Sequence, residues 1–321
     1  MRAAQLIAPR RFAIVDVPDP EPRDGECLVK LERVSICGSD IRRVYDVVRP
    51  EEEYPMAPGR PCHECVGTVV ESRTEEVRQG QRVIVLPSNM NGLAQYLVEG
   101  PQRIIPLPDH GDPERWIMCQ PVGTVLYSCS RVGSVVGKTV AVVGQGAIGL
   151  GFTMILERLG AERVVALDLL DYRLEWSRRV GATHTINPMR ENALEALLEV
   201  THGRKADVVV EAAGMPDSMN LALSLARSEG TVVLFGLSRE QRFPIDHDAI
   251  VHNLLTVIGT ASARTAAPTQ AIKQLVGLVE RGWVDPSCLI THRLPFHDLQ
   301  RAYDMYTAYE DNVVKVVMSV P

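Results

Sequence analysis

Two patterns of apolar and polar positions divide the chain. Up to about residue 120, short apolar runs such as ECLVKLERVSI, CVGTVVES and QRVIVLP are broken by proline and glycine. From about residue 138, apolar runs such as TVAVVG, RVVALD and DVVVEAAG alternate with segments of helical periodicity. The first pattern is typical of a β-rich, partly barrel-like domain. The second predicts a parallel sheet covered by helices on both faces.

Composition and charge narrow the functional classes. The 321 residues are 45% hydrophobic and 23% charged, with a net charge of −6 and only 5% aromatic residues. This composition argues against a nucleic-acid partner. The longest apolar run, TVAVVGQGAIGLGFTMIL, contains four glycines and predicts a strand followed by a helix rather than a membrane span. With no signal peptide apparent and an odd number of cysteines, seven, we expect a cytoplasmic protein with reduced thiols.

A glycine-rich turn follows the first strand of the second pattern. The segment VAVVGQGAIGLG has glycine at Gly144, Gly146 and Gly149. The first allows a tight turn, the second lets the backbone approach a pyrophosphate, and the third lets the helix pack on the sheet. Backbone N–H groups at the helix start, including those of Ala147 and Ile148, are available to phosphates. The segment predicts a dinucleotide site.

The next strand ends in an acidic residue that bears on cofactor choice. Asp168 closes RVVALD, where a carboxylate accepts both ribose hydroxyls and repels a 2′-phosphate. Arg173 lies in the helix that follows and is expected to flank the ribose rather than meet a 2′-phosphate. The sequence therefore favours NAD over NADP.

Two cysteine-containing segments carry candidate metal chemistry. SICGSD places Cys37 and Ser39 after one strand, and CHEC places His63 and Glu64 at the start of another. Thiolate, imidazole and carboxylate groups are zinc ligands, and two loops that converge in the fold would bring them together. A redox CxxC is disfavoured because an apolar strand pattern, rather than a helix, follows it. The other cysteines, including Cys27, Cys129 and Cys288, are expected to be small buried hydrophobic residues.

The chain resembles the zinc-dependent medium-chain dehydrogenases, closest to the branch of sorbitol, polyol and threonine dehydrogenases. The resemblance covers nearly the whole sequence. It rests, besides the glycine turn and Asp168, on CGSD at 37–40, HECVGTVV at 63–70, GLAQYLV at 92–98, QPVGTVLYS at 120–128 and VVVEAAG at 208–214. It implies an α/β protein with a GroES-like β-rich catalytic domain, formed by 1–124 and 264–321, and a doubly wound Rossmann domain at 125–263.

The resemblance also assigns roles to the cysteine-containing segments. It implies that Cys37, His63 and Glu64 are ligands of a catalytic zinc, with Glu64 either a third ligand or a nearby carboxylate that exchanges with water. Asp40 would orient the ring of His63. Ser39 would hydrogen-bond the substrate hydroxyl and begin a proton relay.

Four departures from the family pattern are visible. VLPSNMNGLAQY runs through the place where many members carry four cysteines for a structural zinc, so we expect one catalytic zinc and no structural zinc. Cys62 replaces the usual glycine before the histidine. Arg42 stands where a relay histidine is common, and arginine cannot act as a neutral base. Gln120 replaces a carboxylate common near the metal, and Cys119 beside it is an alternative ligand.

The favoured function is the reversible, NAD-dependent oxidation of a secondary alcohol to a ketone, with zinc at the reacting oxygen. A polyol, cyclitol, sugar or amino alcohol fits equally. The alternatives are a zinc-free NAD(P)H-dependent reductase of the same fold and a non-catalytic NAD-binding sensor. We expect a small-molecule alcohol or ketone substrate, no nucleic-acid or membrane partner, and a homo-oligomer, either a dimer or a tetramer.

Overall fold

The computed structural model describes residues 1–240 and 242–321, and the backbone alone at Ser262. The strands, numbered along the chain, are β1 (Arg2–Ala8), β2 (Arg11–Asp16), β3 (Cys27–Ser35), β4 (Glu64–Ser72), β5 (Arg82–Val85), β6 (Tyr96–Glu99), β7 (Ile104–Pro106), β8 (Thr139–Val143), β9 (Arg163–Leu167), β10 (His184–Ile186), β11 (Ala206–Glu211), β12 (Ala226–Leu234), β13 (Thr256–Gly259), β14 (His292–Pro295) and β15 (Val316–Ser319). The helices are α1 (Gly38–Asp40), α2 (Pro113–Ile117), α3 (Cys119–Val132), α4 (Ala147–Arg158), α5 (Asp171–Arg179), α6 (Ala193–Val200), α7 (Pro216–Leu225), α8 (His247–His252), α9 (Gln270–Glu280) and α10 (Leu299–Ala308). A π-helical turn at Ile41–Tyr45 follows α1.

The chain forms two compact units. One consists of Met1–Gly123 with Ala266–Pro321, and the other of Thr124–Thr265. The roles that the sequence assigns to them, catalysis for the first and cofactor binding for the second, stay predictions at this point.

The first unit is built on a mixed sheet in the order β14-β15-β3-β4-β5-β7, and β6 also pairs with β3. Antiparallel pairing sets Ser35 of β3 opposite Glu64 of β4 on one side and Val317 of β15 on the other. The end of β3 therefore lies between the start of β4 and the C-terminal strand. This β-rich architecture confirms the prediction from the broken apolar runs.

The second unit contains a parallel sheet in the order β10-β9-β8-β11-β12-β13. Every residue of β8 is buried, and the residues of β9 and β11 are nearly all buried. Strands covered on both faces need this continuous apolar pattern, because neither face meets water. The doubly wound parallel sheet expected from the sequence is confirmed.

The longest apolar run divides as predicted into a strand and a helix, β8 and α4. The turn between them, at 144–146, contains the first two glycines of the motif. Within the described residues, no helix combines the length and apolar character that a membrane crossing requires.

One expectation about the cysteines was wrong. Cys27 and Cys129 are buried, but Cys288 is exposed. It lies in the short 3₁₀ segment Pro286–Leu289, which buries Pro286 and Leu289 instead. A segment this short has only one side facing the core, and local sequence does not show which side that is.

Candidate functional site

Cys37 lies just beyond the end of β3, where the chain turns into α1. Its backbone N–H donates to Asp40 Oδ2 at 3.0 Å, which fixes the turn, and its thiol is partly exposed. The hydroxyl of Ser39 donates to Cys37 Sγ at 3.3 Å. The CGSD sequence thus places a thiol and a hydroxyl side by side just after the end of β3.

His63 precedes β4 and is oriented by a buried carboxylate. Asp40 is fully buried, and its Oδ1 lies 2.8 Å from His63 Nδ1. This contact leaves Nε2 as the ring nitrogen available to a ligand. Burial acts to lower the pKa of His63, but the negative charges of Asp40 and Cys37 raise that pKa well above its ordinary value. A metal that binds here must therefore displace a proton.

Glu64, the first residue of β4, is fully buried. Its Oε2 accepts hydrogen bonds from the hydroxyl of Ser35 and from Lys315 Nζ, the latter at 2.5 Å. Its Oε1 has no hydrogen-bond partner among the described residues. A buried carboxylate oxygen without a partner is costly, since its lost hydration is not replaced.

The three predicted ligands come together. One ligand atom each from Cys37, His63 and Glu64 lies within 4.8 Å of the other two. A thiolate, an imidazole and a carboxylate form a donor set suited to zinc, and three protein ligands leave the open position of a catalytic site. The unpartnered Glu64 Oε1 is the atom that a cation would satisfy. The residues present therefore fit a catalytic zinc ion.

Two members of this site were missed from the sequence, Ser35 and Lys315. Lys315 is 1% exposed, and its ammonium group also donates to the carbonyl oxygen of Ile36 at 2.9 Å. Burial acts to lower the pKa of Lys315, but the negative charges of Glu64 and Cys37 raise it above its ordinary value, so the side chain is charged. The available signal was a lone lysine within the apolar run VVKVVM, which is typical of a buried lysine with an acidic partner.

Both cysteines of CHEC are structural. Cys62 and Cys65 are fully buried, and a Cβ on Gly92 would lie 2.3 Å from Cys65 Sγ and 3.1 Å from Cys62 Sγ. Burial, together with the neighbouring Cys65, raises the pKa of Cys62 well above its ordinary value. A redox dithiol needs the opposite shift, so these contacts argue against that alternative.

Cys119 and Gln120, which the sequence comparison with the family placed near the metal, lie at the start of α3. Cys119 is fully buried, and burial raises the pKa of its thiol to about 12. It does not belong to the cluster formed by Cys37, His63 and Glu64. Gln120 is also buried, and its Oε1 has no hydrogen-bond partner among the described residues.

The glycine turn of the second unit has the geometry of a phosphate cradle. Gly144 has φ +91°, and a Cβ on Gly149 would lie 1.8 Å from Gly144 O. Both positions therefore require glycine. A Cβ on Gly146 would meet no atom within 4 Å, so the backbone there is open to an incoming group. The N–H groups of Ala147 and Ile148 begin α4 and have no partner within the helix.

Asp168 lies directly after β9 beside this turn. Its Oδ2 accepts from the backbone N–H of Gln145 at 2.6 Å, and its Oδ1 from that of Leu170 at 2.9 Å. Arg173 Nη1 is 3.7 Å from Asp168 Oδ2. The carboxylate is thus fixed against the glycine turn, with lone pairs left for further donors. The turn, the free N–H groups and this carboxylate fit a dinucleotide.

Two family models match this chain. Residues 23–111 match the alcohol dehydrogenase GroES-like domain, and residues 147–281 match the zinc-binding dehydrogenase domain. The chain belongs to the zinc-type medium-chain dehydrogenase family. The resemblance predicted from the motifs is thereby confirmed.

Relatives of this medium-chain dehydrogenase match along most of their length. Sorbitol dehydrogenase of Bacillus subtilis is 26% identical, with 99% of this chain and 97% of the relative covered. L-Threonine 3-dehydrogenase of Bacillus velezensis is also 26% identical, with 90% of each covered. The crystal structure of a zinc-binding dehydrogenase from Sinorhizobium meliloti bound to NADP superposes with a TM-score of 0.84 at 25% identity, covering 99% of this chain and 98% of that one. Together these place the chain among alcohol and polyol oxidoreductases that use a nicotinamide cofactor and zinc.

Proposed function

We propose that this medium-chain dehydrogenase oxidises a secondary alcohol to a ketone, reversibly, with NAD and one catalytic zinc ion per chain and no structural zinc. The observation that supports this most directly is the cluster of Cys37, His63 and Glu64, with Glu64 Oε1 lacking any other partner. We propose a polyol, cyclitol, sugar or amino alcohol as substrate, because the curated relatives include sorbitol and threonine dehydrogenases.

Cys37, His63 and Glu64 would hold the metal, and Asp40 would fix the His63 ring through the 2.8 Å contact at Nδ1. When bound, zinc lowers the pKa of an alcohol oxygen at its open position. The buried ion pair of Glu64 and Lys315 keeps water from the inner side of the site, since both side chains are almost fully inaccessible.

Ser39 would accept the proton of the substrate hydroxyl. Its hydroxyl lies 3.3 Å from Sγ of Cys37, one of the residues that would hold the metal. Arg42 cannot carry the proton onward, because a guanidinium group stays charged at neutral pH. The proton would pass from Ser39 to water.

The second unit would bind the dinucleotide, with the pyrophosphate over Gly146, Ala147 and Ile148 and the adenosine ribose at Asp168. When bound, NAD accepts the hydride. Asp168 supports NAD over NADP, because its negative charge repels a 2′-phosphate; Arg173 already faces that carboxylate.

The same residues disfavour the zinc-free reductase. A zinc-free reductase has no need of a thiol, an imidazole and a carboxylate gathered within 4.8 Å of one another. A non-catalytic sensor would bind NADH yet turn over no alcohol. No observation in the structure favours either.

A metal assay combined with a substrate panel tests the proposal. Protein purified without chelators is expected to contain about one zinc per chain and to reduce NAD with at least one secondary alcohol from a panel of polyols, cyclitols, sugar alcohols and amino alcohols. Zinc-free protein with full turnover would indicate the reductase. Tight NADH binding without turnover on the whole panel would indicate the sensor.

We further propose that the chain forms a homo-oligomer, a dimer or a tetramer, through β13. This strand ends the parallel sheet and is largely exposed, and Leu254 and Val251 are exposed close to it in sequence. An open edge with apolar side chains pairs readily with a second copy. Light scattering is expected to give a multiple of 35.4 kDa, and Val257→Lys should shift the protein toward monomer. A wild-type protein that is monomeric at micromolar concentration would contradict this.

A further inference from the structure

A buried carboxylate in the second unit, Glu211, has no role in the mechanism above. It is the last residue of β11 and is fully buried. Its Oε1 accepts from the backbone N–H groups of Ala213 and Gly214, at 2.9 and 2.6 Å, and from the hydroxyl of Ser218 at 2.6 Å. Its Oε2 has no hydrogen-bond partner among the described residues. The donors are all neutral, so no cationic side chain within hydrogen-bonding distance cancels the negative charge of Glu211.

The unpartnered oxygen lies between the loops that follow β11 and β12. The N–H groups of Phe235 and Gly236 both donate to the backbone oxygen of Glu211 at 3.0 Å. A Cβ on Gly236 would lie 2.4 Å from Glu211 Oε2 and 2.3 Å from the backbone nitrogen of Gly214. Glycine at this position therefore lets the loop after β12 lie directly against the carboxylate.

These loops belong to the edge of the sheet where a dinucleotide binds. The chain leaves β8 for β9 on one side and returns to β11 on the other, and in such sheets the ligand lies across the carboxyl ends of the strands at this point. The loops after β8 and β11 are in contact, since a Cβ on Gly144 would lie 2.8 Å from the Cβ of Ala213. With the pyrophosphate over the glycine turn and the adenosine at Asp168 on the β9 side, the nicotinamide half would lie on the side of β11 and β12.

The charge of the nicotinamide ring differs between the two forms of the cofactor. The ring is positive in NAD⁺ and neutral in NADH, whereas the adenosine and the two phosphates are the same in both. A fixed negative charge on the nicotinamide side therefore attracts the oxidised form more than the reduced form. Burial of the carboxylate strengthens this attraction, because buried charges are screened much less than exposed ones.

We propose, resting on the function proposed above, that Glu211 sets the relative affinity of the enzyme for NAD⁺ and NADH. Its buried carboxylate places an uncompensated negative charge beside the nicotinamide half of the cofactor and so favours NAD⁺. A carboxylate that only ties the two loops together would instead affect both forms of the cofactor equally when it is lost.

The ratio of the dissociation constants for NAD⁺ and NADH distinguishes these roles. Glu211→Gln keeps the size of the side chain and an acceptor for the three donors. In this variant the affinity for NAD⁺ relative to NADH is expected to fall about tenfold, because the charge is gone. Isothermal titration calorimetry of the zinc-loaded protein without alcohol measures both constants. Asp207→Asn is the matched control, since it neutralises a carboxylate at the amino end of the same strand and should change the ratio by less than about twofold.

Two further measurements keep the result interpretable. Ser218→Ala removes one donor to Oε1 and keeps the charge, so it should weaken the binding of NAD⁺ and NADH alike. If Glu211→Gln does not fold, the charge is removed from the ligand instead. Wild-type protein should bind NAD⁺ about tenfold tighter than the dinucleotide in which benzamide, a neutral ring of the same shape, replaces nicotinamide.

An unchanged ratio in folded Glu211→Gln overturns the proposal, as does equal binding of NAD⁺ and the benzamide dinucleotide by wild-type protein. A shift in Ser218→Ala as large as that in Glu211→Gln overturns it too, because the charge is then not the cause. Failure of the proposed cofactor site would look different. In that case wild-type protein binds neither NAD⁺ nor NADH.

Discussion

Replacing Cys37 with serine is expected to remove both the bound zinc and the turnover. A serine hydroxyl is a far poorer zinc ligand than a thiolate, so zinc affinity should fall by more than about 100-fold. Without the metal, the alkoxide that forms during oxidation loses several kcal/mol of stabilisation, which corresponds to a fall in kcat of about 10³-fold or more. Elemental analysis and alcohol-dependent NAD reduction measure the two effects on the same preparation.

Cys27→Ser is the control for this change. Cys27 begins β3, the strand that leads to Cys37, and its buried thiol lies 3.5 Å from the Ser72 hydroxyl, so a serine there finds a hydrogen-bond partner. This variant should keep its zinc and its turnover. A Cys37→Ser protein that is folded, free of zinc and fully active would refute the metal-dependent mechanism.

Replacing Asp168 with asparagine is expected to weaken the preference for NAD. The carboxylate would lose its charge-assisted bonds to the ribose hydroxyls, each worth about 1.5–3 kcal/mol, and its repulsion of a 2′-phosphate. We expect the ratio of kcat/KM for NAD to that for NADP to fall by about 10- to 100-fold. Steady-state kinetics with both cofactors, at saturating alcohol, measure this ratio.

Asp207→Asn provides the matched comparison. Asp207 also accepts a backbone N–H in the parallel sheet, that of Thr139 at 2.9 Å, but it lies at the amino end of β11, away from the glycine turn. It should alter stability and leave the cofactor ratio within about twofold. If Asp168→Asn leaves the ratio equally unchanged, Asp168 does not select the cofactor.

The cofactor unit could be predicted from the sequence in most of its detail. A parallel strand is buried on both faces, so β8, β9 and β11 are visible as continuous apolar runs. Glycine is required around the turn between β8 and α4 because of clashes between residues close in sequence. A Cβ on Gly149, for example, would lie 1.8 Å from Gly144 O. Local constraints of this kind leave a local signature.

The metal centre could be predicted only in part. The types and spacing of Cys37, His63 and Glu64 indicated zinc ligands, and the family resemblance supplied Asp40 and Ser39. The partners of Glu64 were not found, because Ser35 reaches it from β3 and Lys315 from the residue before β15, near the end of the chain. Cys288 was placed wrongly for a related reason, since its exposure depends on which side of a short segment meets the core.

The sequence by itself therefore determined the two kinds of sheet, the glycine turn with Asp168, and the set of groups able to hold a metal. The tertiary structure alone decided which oxygen of Glu64 is held and which is free. The physical reason is that burial removes water from both partners of an ion pair, so the state of each depends on the neighbour that replaces that water. The neighbours of Glu64 are set by the pairing of β3 with β4 and β15. No local sequence pattern encodes this pairing.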